Sequence, residues 1–211
     1  MSDTAFALAL LAPVVGYLAG SILPAELVAR RHGMGLRNID SERNPGTSEI
    51  YRLYGPAAAL LVFVLDAAKG ILPVAAAQWL GVPWWSVALT AVAAVAGHCW
   101  SVYYRFWGGK GLATAAGIFA FMMPLTVLAV LPPSVFAWWK TRWVPASGMV
   151  GLPIILAVAW LYDANPAHKA AATIIPLVML IREIGWIREQ LAARGAPSAP
   201  AVHPSKESSS P

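Results

Sequence analysis

Long uncharged apolar runs constrain this chain more than any other feature. The first, at about residues 4–28, carries no charge from Thr4 to Ala25, which is long enough for a helix at about 1.5 Å per residue to cross roughly 30 Å of hydrocarbon. Further apolar runs lie at about 53–80, 84–103, 112–139, 147–162 and 170–187. With 58% hydrophobic and 12% charged residues, they predict an all-α, polytopic membrane protein.

The run from Leu112 to Trp139 is too long for one crossing. As a single helix it would measure about 42 Å, and Pro124 and the pair Pro132-Pro133 each remove a helical hydrogen bond. We expect two short helices with a break near one of these sites, and about seven transmembrane helices in all. With the N-terminus outside, the cytoplasmic segments 29–52, 104–111, 140–146 and 182–211 then hold every basic residue except Lys69 and Lys169, as the positive-inside rule favours.

The chain divides into a transmembrane domain, 1–190, and a tail, 191–211. The tail is rich in Ala, Pro and Ser and is predicted to be disordered and cytoplasmic. The basic residues form no stripe on a soluble face, so nucleic acid is not an expected partner. Since Cys99 is the only cysteine, an internal disulfide and a multi-cysteine metal site are excluded.

A glycine-rich loop, FWGGKG at 106–111, follows the third run and precedes a predicted helix that begins near Leu112. Glycines permit positive φ angles and bring amide N–H groups close to an anion, a helix N-terminus adds a favourable dipole, and Lys110 adds a full charge. The loop is not a Walker A motif, because Tyr104 and Gly111 stand where glycine and Ser or Thr are required. The loop is either an anion site or an interfacial turn whose lysine contacts lipid headgroups.

Four residues within the apolar runs carry functional groups. His98 is a candidate proton acceptor or phosphate ligand, or alternatively a buried imidazole bonded to a carbonyl. A nucleophilic role for Cys99 is disfavoured, because adjacent side chains on a helix diverge by about 100°. Asp66 and Lys69, at i and i+3, share a helix face and are predicted to form a structural ion pair.

The first long loop, 30–52, is unusually polar for this chain. It offers hydrogen-bond donors suited to phosphate oxygens, and Asn44-Pro45-Gly46 is a turn signal that bends the segment back towards the protein. A solvated positive-inside loop explains the arginines but not the small hydroxyl groups. The donors are Arg37, Arg43, Arg52, Ser41, Asn44, Thr47 and Ser48.

Several motifs resemble those of the bacterial acyl-phosphate:glycerol-3-phosphate acyltransferases, the PlsY family. The segment GHCWSVYYRFWGGKGLAT at 97–114 is similar to the family's GHxxPxFxxFxGGKGVAT. Four further matches follow the family's order along roughly residues 16–190. They are GSIL at 20–23, NPGTSEIYR at 44–52, VFVLDAAKG at 62–70 and ASGMVG at 146–151.

The resemblance implies transfer of a fatty acyl group from acyl phosphate to the 1-hydroxyl of glycerol 3-phosphate, giving lysophosphatidic acid without a metal or cofactor. It implies a multi-pass protein of the bacterial inner membrane with the C-terminus in the cytoplasm, and membrane lipid as a further partner. His98 and Lys110 are the implied catalytic residues. The implied phosphate-binding residues are Arg37, Ser41, Asn44, Gly46, Ser48, Arg52, Gly108, Gly109, Gly111, Thr114 and Ser147.

Departures from the family pattern cluster at the acceptor end of the site. Glu42 and Glu49 stand at polar positions of the first motif, and Gly185 and Trp186 stand where the family has Glu and Asn. Carboxylates beside a phosphate site repel a dianion unless an arginine pairs with them. Two alternatives to the family activity therefore stay open: the same scaffold acylating a different acceptor, or a non-catalytic protein that binds lipid or a membrane partner.

Overall fold

The computed structural model describes residues 2–36, 44–141 and 144–195, without the side chains of 144–149, 186, 187 and 189–195. Every regular element in these ranges is helical, which confirms the predicted all-α class. The helices are α1 (Asp3–Gly20), α2 (Pro24–Arg31), α3 (Thr47–Trp79), α4 (Trp84–Cys99), α5 (Leu112–Met122), α6 (Pro124–Thr141), α7 (Val144–Leu161) and α8 (Pro166–Gly195), with a 3-10 turn at Val102–Tyr104.

The long run from Leu112 is divided as predicted, and the break lies at Met123 (φ −141°, ψ 65°), directly before Pro124. Because proline has no N–H and restricts the preceding residue, the helical ladder ends there. The pair Pro132-Pro133 instead lies inside α6. Setting aside the eight-residue α2, the described chain holds seven helices, in agreement with the predicted number, and α5 is short at 11 residues.

Two predicted runs have different limits in the structure. The first run is not one helix, because α1 ends at Gly20 and α2 begins at Pro24 after a short extended step. The helix of the second run, α3, begins at Thr47 rather than near residue 53, and Gly55 (φ 81°) bends it near its start. Proline at position 24 and glycine at a positive φ angle account for these two interruptions.

Helices α1 and α4 lie parallel and in close contact. Ser86 Oγ donates to Ala9 O at 2.7 Å, and further along both helices Ser101 Oγ donates to Ser21 O at 2.5 Å. Between these points Gly20 and Gly97 let the backbones meet, since a Cβ on either would overlap backbone atoms of the facing helix. Small residues of this kind are the usual means of close helix packing in membranes.

The parallel arrangement places the ends of α1 and α4 on the same face of the bundle. Helix α4 lies at the centre, where it also packs against α3, α5 and α8. The loops that follow α1 and α4 are therefore neighbours, as the predicted topology requires.

The helical bundle presents large apolar side chains outward. Three segments of the described chain, Asp3–Arg31, Thr47–Trp79 and Trp84–Tyr104, are long and apolar enough to cross a bilayer by length and composition. Exposed apolar side chains on α3 and α6 include Leu60, Leu72, Trp79 and Leu125, which are 63, 67, 87 and 75% exposed. Such a surface is stable against lipid and costly in water.

The boundary predicted at residue 190 does not mark the end of the last helix, because α8 continues to Gly195. Residues 196–211 of the predicted disordered tail lie outside the described residues. The tail beyond Gly195 therefore stays a prediction.

The contact between α1 and α4 predicts that Gly97→Ala destabilises the protein. The added Cβ meets Tyr17 O and Ser21 N, and overpacking of this kind costs about 1–3 kcal/mol. Gly185→Ala is the matched control, because a Cβ there meets nothing within 4 Å. Thermal unfolding in detergent should show a lower midpoint for the first variant alone; equal midpoints would contradict the close contact.

Candidate active site

The loop 108–111 lies directly on the end of α4. Gly109 N–H donates to the carbonyl of His98 at 3.0 Å, so one of the last carbonyls of that helix is satisfied by the loop. A Cβ on Gly108 would overlap the carbonyl oxygens of His98 and Cys99. Both glycines are buried, and the loop leads into α5 at Leu112 as predicted.

The loop glycines have two different roles, a positive φ angle at Gly111 and close backbone approach at Gly108 and Gly109. Gly111 has φ 82° and ψ 0° at the N-terminal cap of α5, a left-handed conformation that favours glycine. Gly108 and Gly109 do not have positive φ angles, contrary to the expectation for successive glycines; they permit close approach instead. The positive angles before them fall on Arg105 (φ 55°) and Phe106 (φ 59°), where non-glycine residues are under backbone strain.

Helix α8 holds the loop from the other side. Arg182, which is 8% exposed, donates from Nη2 to Gly108 O at 2.9 Å and from Nε to Gly109 O at 3.3 Å. The next residue, Glu183, accepts from Lys110 Nζ at 3.0 Å. The lysine is 18% exposed, so its charge lies at the edge of the bundle rather than deep inside it.

A buried ionic cluster lies beneath the loop. Asp66 Oδ1 is 2.8 Å from Lys69 Nζ, which confirms the predicted pair, and 3.3 Å from His98 Nδ1. Thr114 Oγ1 lies 3.3 Å from the same imidazole nitrogen, and Lys69 also donates to Ile22 O at 2.5 Å. The cluster thus joins α3, α4, α5 and the step after α1 through groups that are nearly completely buried.

The imidazole of His98 connects the cluster to the loop. Its Nδ1 faces Asp66 and Thr114, and a Cβ placed on Gly109 would overlap Nε2. The residue is 3% exposed. His98 is buried, but its Nδ1 lies beside the Asp66 carboxylate and the Thr114 hydroxyl rather than a backbone carbonyl, and its functional role stays a prediction.

The turn at 44–46 folds back against the loop. Gly46 N–H donates to Asn44 O at 2.8 Å, Pro45 is buried, and a Cβ on Gly109 would come within 3.3 Å of Asn44 Oδ1. Gly46 then caps the N-terminus of α3. The predicted turn is present, and it brings the amide of Asn44 to the glycine loop.

The first turns of α3 hold the other described members of the predicted set. Arg52 Nη2 donates to Glu49 Oε2 at 2.7 Å; the carboxylate side chain is 4% exposed and the guanidinium side chain 48%. Glu49 is thus paired with an arginine, which is the condition under which a carboxylate near the predicted phosphate site would not repel a dianion. Ser48 is exposed on the same turn.

The structure brings together His98, Gly108, Gly109, Lys110, Gly111, Thr114 and Asn44 around one loop. Arg37, Ser41, Arg43 and Glu42 lie outside the described residues, as does the side chain of Ser147 on α7. The sequence analysis did not place Asp66, Arg182 or Glu183 in the site. Their positions inside the apolar runs 53–80 and 170–187 could have identified them, because ionisable residues in membrane spans are commonly functional.

The arrangement is suited to holding an oxyanion. A lysine ammonium, a loop of close-packed backbone at a helix N-terminus and a side-chain amide meet on one face of the bundle. The buried ionic cluster fixes the floor beneath them.

Comparisons with known proteins agree with this geometry. A family model described as glycerol-3-phosphate acyltransferase matches residues 10–193. A glycerol-3-phosphate acyltransferase from Rubrobacter xylanophilus is 36% identical over 77% of this chain and 80% of its own length. One from Hahella chejuensis is 36% identical over 82% of this chain and 88% of its own length.

Two solved structures have the same fold. One is PlsY, an integral membrane glycerol 3-phosphate acyltransferase in its glycerol 3-phosphate form, with a TM-score of 0.76, 28% identity, and coverage of 90% of this chain and 96% of that one. The lysophosphatidic acid form gives a TM-score of 0.72, 29% identity, and coverage of 88% and 93%. The fold defines an integral membrane helical bundle. The chain belongs to the glycerol-3-phosphate acyltransferase family.

The buried cluster predicts that Asp66→Asn strongly destabilises the protein. Removing one partner leaves Lys69 charged and buried, which costs about 3–5 kcal/mol. The double variant Asp66→Asn with Lys69→Met removes both charges and should recover at least half of the lost stability. Thermal unfolding in detergent measures both; a double variant less stable than the single one would contradict a mutual neutralisation.

Proposed function

We propose that this protein transfers a fatty acyl group from acyl phosphate to the 1-hydroxyl of glycerol 3-phosphate, forming lysophosphatidic acid. The observation that carries the proposal is the placement of Lys110 in a glycine loop that leads into a helix N-terminus and whose Gly109 lies beside Asn44. Membership of the family supports the reaction class.

The donor phosphate binds at the loop. Lys110 supplies the charge, and the loop amides other than that of Gly109, whose N–H is bonded to His98 O, supply short, directed donors to the phosphate oxygens. The acyl chain extends from the loop along apolar surfaces between helices. No metal or cofactor takes part in this reaction.

The acceptor phosphate binds at the first loop. Arg37, Ser41, Ser48 and Arg52 are assigned to it, with Asn44 and Gly46 at the junction of the two sites and Thr114 and Ser147 completing the surroundings. The reaction then needs two bound phosphates held so that the acceptor hydroxyl faces the acyl carbonyl carbon. Positioning of this kind removes much of the entropic barrier.

The chemical step needs no covalent enzyme intermediate. The hydroxyl oxygen of glycerol 3-phosphate bonds to the acyl carbon, the bond from that carbon to the phosphate oxygen breaks, and inorganic phosphate leaves. The proton of the hydroxyl passes to the leaving phosphate. His98 orients the reacting groups through Gly109, because its imidazole is buried beneath the loop.

The site faces the cytoplasm of a bacterial inner membrane in this proposal, with the N-terminus outside. The loops after α1 and α4 and the Arg182 region of α8 meet on one face, and this face carries Arg30, Arg52, Arg105 and Lys110. The positive-inside rule assigns a face of this composition to the cytoplasm.

A second candidate is the same transfer to a different acceptor. The observation that favours it is the Glu49–Arg52 pair, in which a buried carboxylate already neutralises a cation assigned to the acceptor phosphate. A hydroxyl-rich or cationic head group would bind such a pair better than a dianion does.

The proposal predicts that Lys110→Ala lowers the rate of lysophosphatidic acid formation by about 100- to 1,000-fold, as expected for loss of a charged donor at the reacting phosphate. The assay uses purified protein in lipid with palmitoyl phosphate and radiolabelled glycerol 3-phosphate. Lys140→Ala is the control, because it removes an exposed lysine at the end of α6.

Two other results would reject the first candidate. Consumption of palmitoyl phosphate only with another acceptor would establish the second candidate. An intact protein that neither consumes nor binds palmitoyl phosphate would instead identify a non-catalytic lipid-binding or partner-binding protein.

A further inference from the structure

The Lys110 ammonium is paired with a carboxylate of the same chain. Glu183 Oε1 lies 3.0 Å from Lys110 Nζ, and the two side chains are 23% and 18% exposed. A phosphate oxygen and a carboxylate oxygen bind an ammonium in the same way, through short charge-assisted hydrogen bonds. The place that a phosphate would take at this ammonium is thus held by a residue of α8.

The loop does not need Glu183 for its shape. Arg182 holds the carbonyls of Gly108 and Gly109, and Gly109 N–H is bonded to the end of α4. These backbone contacts stay in place whichever group the lysine binds. The carboxylate therefore acts on the charge and direction of the Lys110 side chain rather than on the backbone.

We propose that Glu183 is a positioning residue that holds the Lys110 ammonium before substrate binds and releases it to the donor phosphate, so that it sets the affinity for acyl phosphate. The inference rests on the proposed function for the identity of the donor. Phosphate binding replaces one anion by another on Lys110, and the displaced carboxylate then repels the bound dianion.

The pairing also lowers the cost of placing the Lys110 charge at this site. The Lys110–Glu183 pair is partly enclosed by the loop and α8, where a lone ammonium is costly. Because both side chains still reach solvent, the exchange needs only rotation of these partly exposed side chains and no movement of a helix. Specificity follows, since a neutral ligand gains too little from the lysine to displace the carboxylate.

The test is the neutral substitution Glu183→Gln, with Glu183→Ala beside it. Both remove the competing charge, so both should lower KM for palmitoyl phosphate by about 3- to 10-fold, while kcat changes less than about 2-fold. Asp3→Asn is the matched control for loss of one carboxylate, because it lies at the opposite end of the bundle, and its KM should equal that of the wild type.

A purely structural role predicts the reverse. If Glu183 only aimed the lysine by a hydrogen bond, Glu183→Ala would raise KM and Glu183→Gln would restore it. Unchanged or raised KM in both variants overturns the proposal. Equal loss of folded protein in both variants would likewise show that the pair is structural.

A binding measurement distinguishes failure of this inference from failure of the proposed function. Inorganic phosphate is titrated into wild-type protein and Glu183→Gln by calorimetry, without acyl phosphate or acceptor. Phosphate should bind the variant about 3- to 10-fold more tightly even if no acyl transfer is detected with any acceptor. Equal affinities with normal acyl transfer would reject the role of Glu183 and leave the acyltransferase intact.

Discussion

The close approach of the loop 108–111 to the end of α4 is the contact on which the rest of the site depends. It exists because Gly108 and Gly109 carry no side chain, so a backbone N–H reaches the His98 carbonyl. Arg182 closes the loop from α8, and the imidazole of His98 supports it from below. These contacts hold the backbone of Lys110 in place, so a ligand would move only its side chain.

Ionic contacts near the site lie at two depths. Asp66, Lys69 and His98 form the deep cluster, where the cost of burial is offset by short contacts between opposite charges. Glu49–Arg52 and Lys110–Glu183 form the shallow pairs at the face of the site. The deep cluster joins helices and stays closed, whereas each shallow pair retains contact with solvent. The proposed exchange of ligand concerns the Lys110–Glu183 pair, and the deep cluster holds the helices together.

Local signals in the sequence predicted the elements that depend on neighbouring residues. Proline at position 124 ended a helix, the Asn44–Gly46 segment formed a turn, and the glycine loop led into α5 at Leu112. Contacts between distant residues could not be predicted this way. Arg182 and Glu183 reach the loop across more than 70 residues, and their partners depend on how α8 packs against α4. The role of Gly108 and Gly109 in close packing was likewise invisible until the facing helix end was placed.

The central claim is that the loop 108–111 and Lys110 hold the phosphate of the donor. A crystal structure of the protein with a non-hydrolysable acyl phosphonate tests it most directly. The account predicts the phosphorus within about 4 Å of Lys110 Nζ, with phosphonate oxygens facing the amides of the loop. A phosphonate bound elsewhere on the bundle, with the loop empty at saturating ligand, would contradict it.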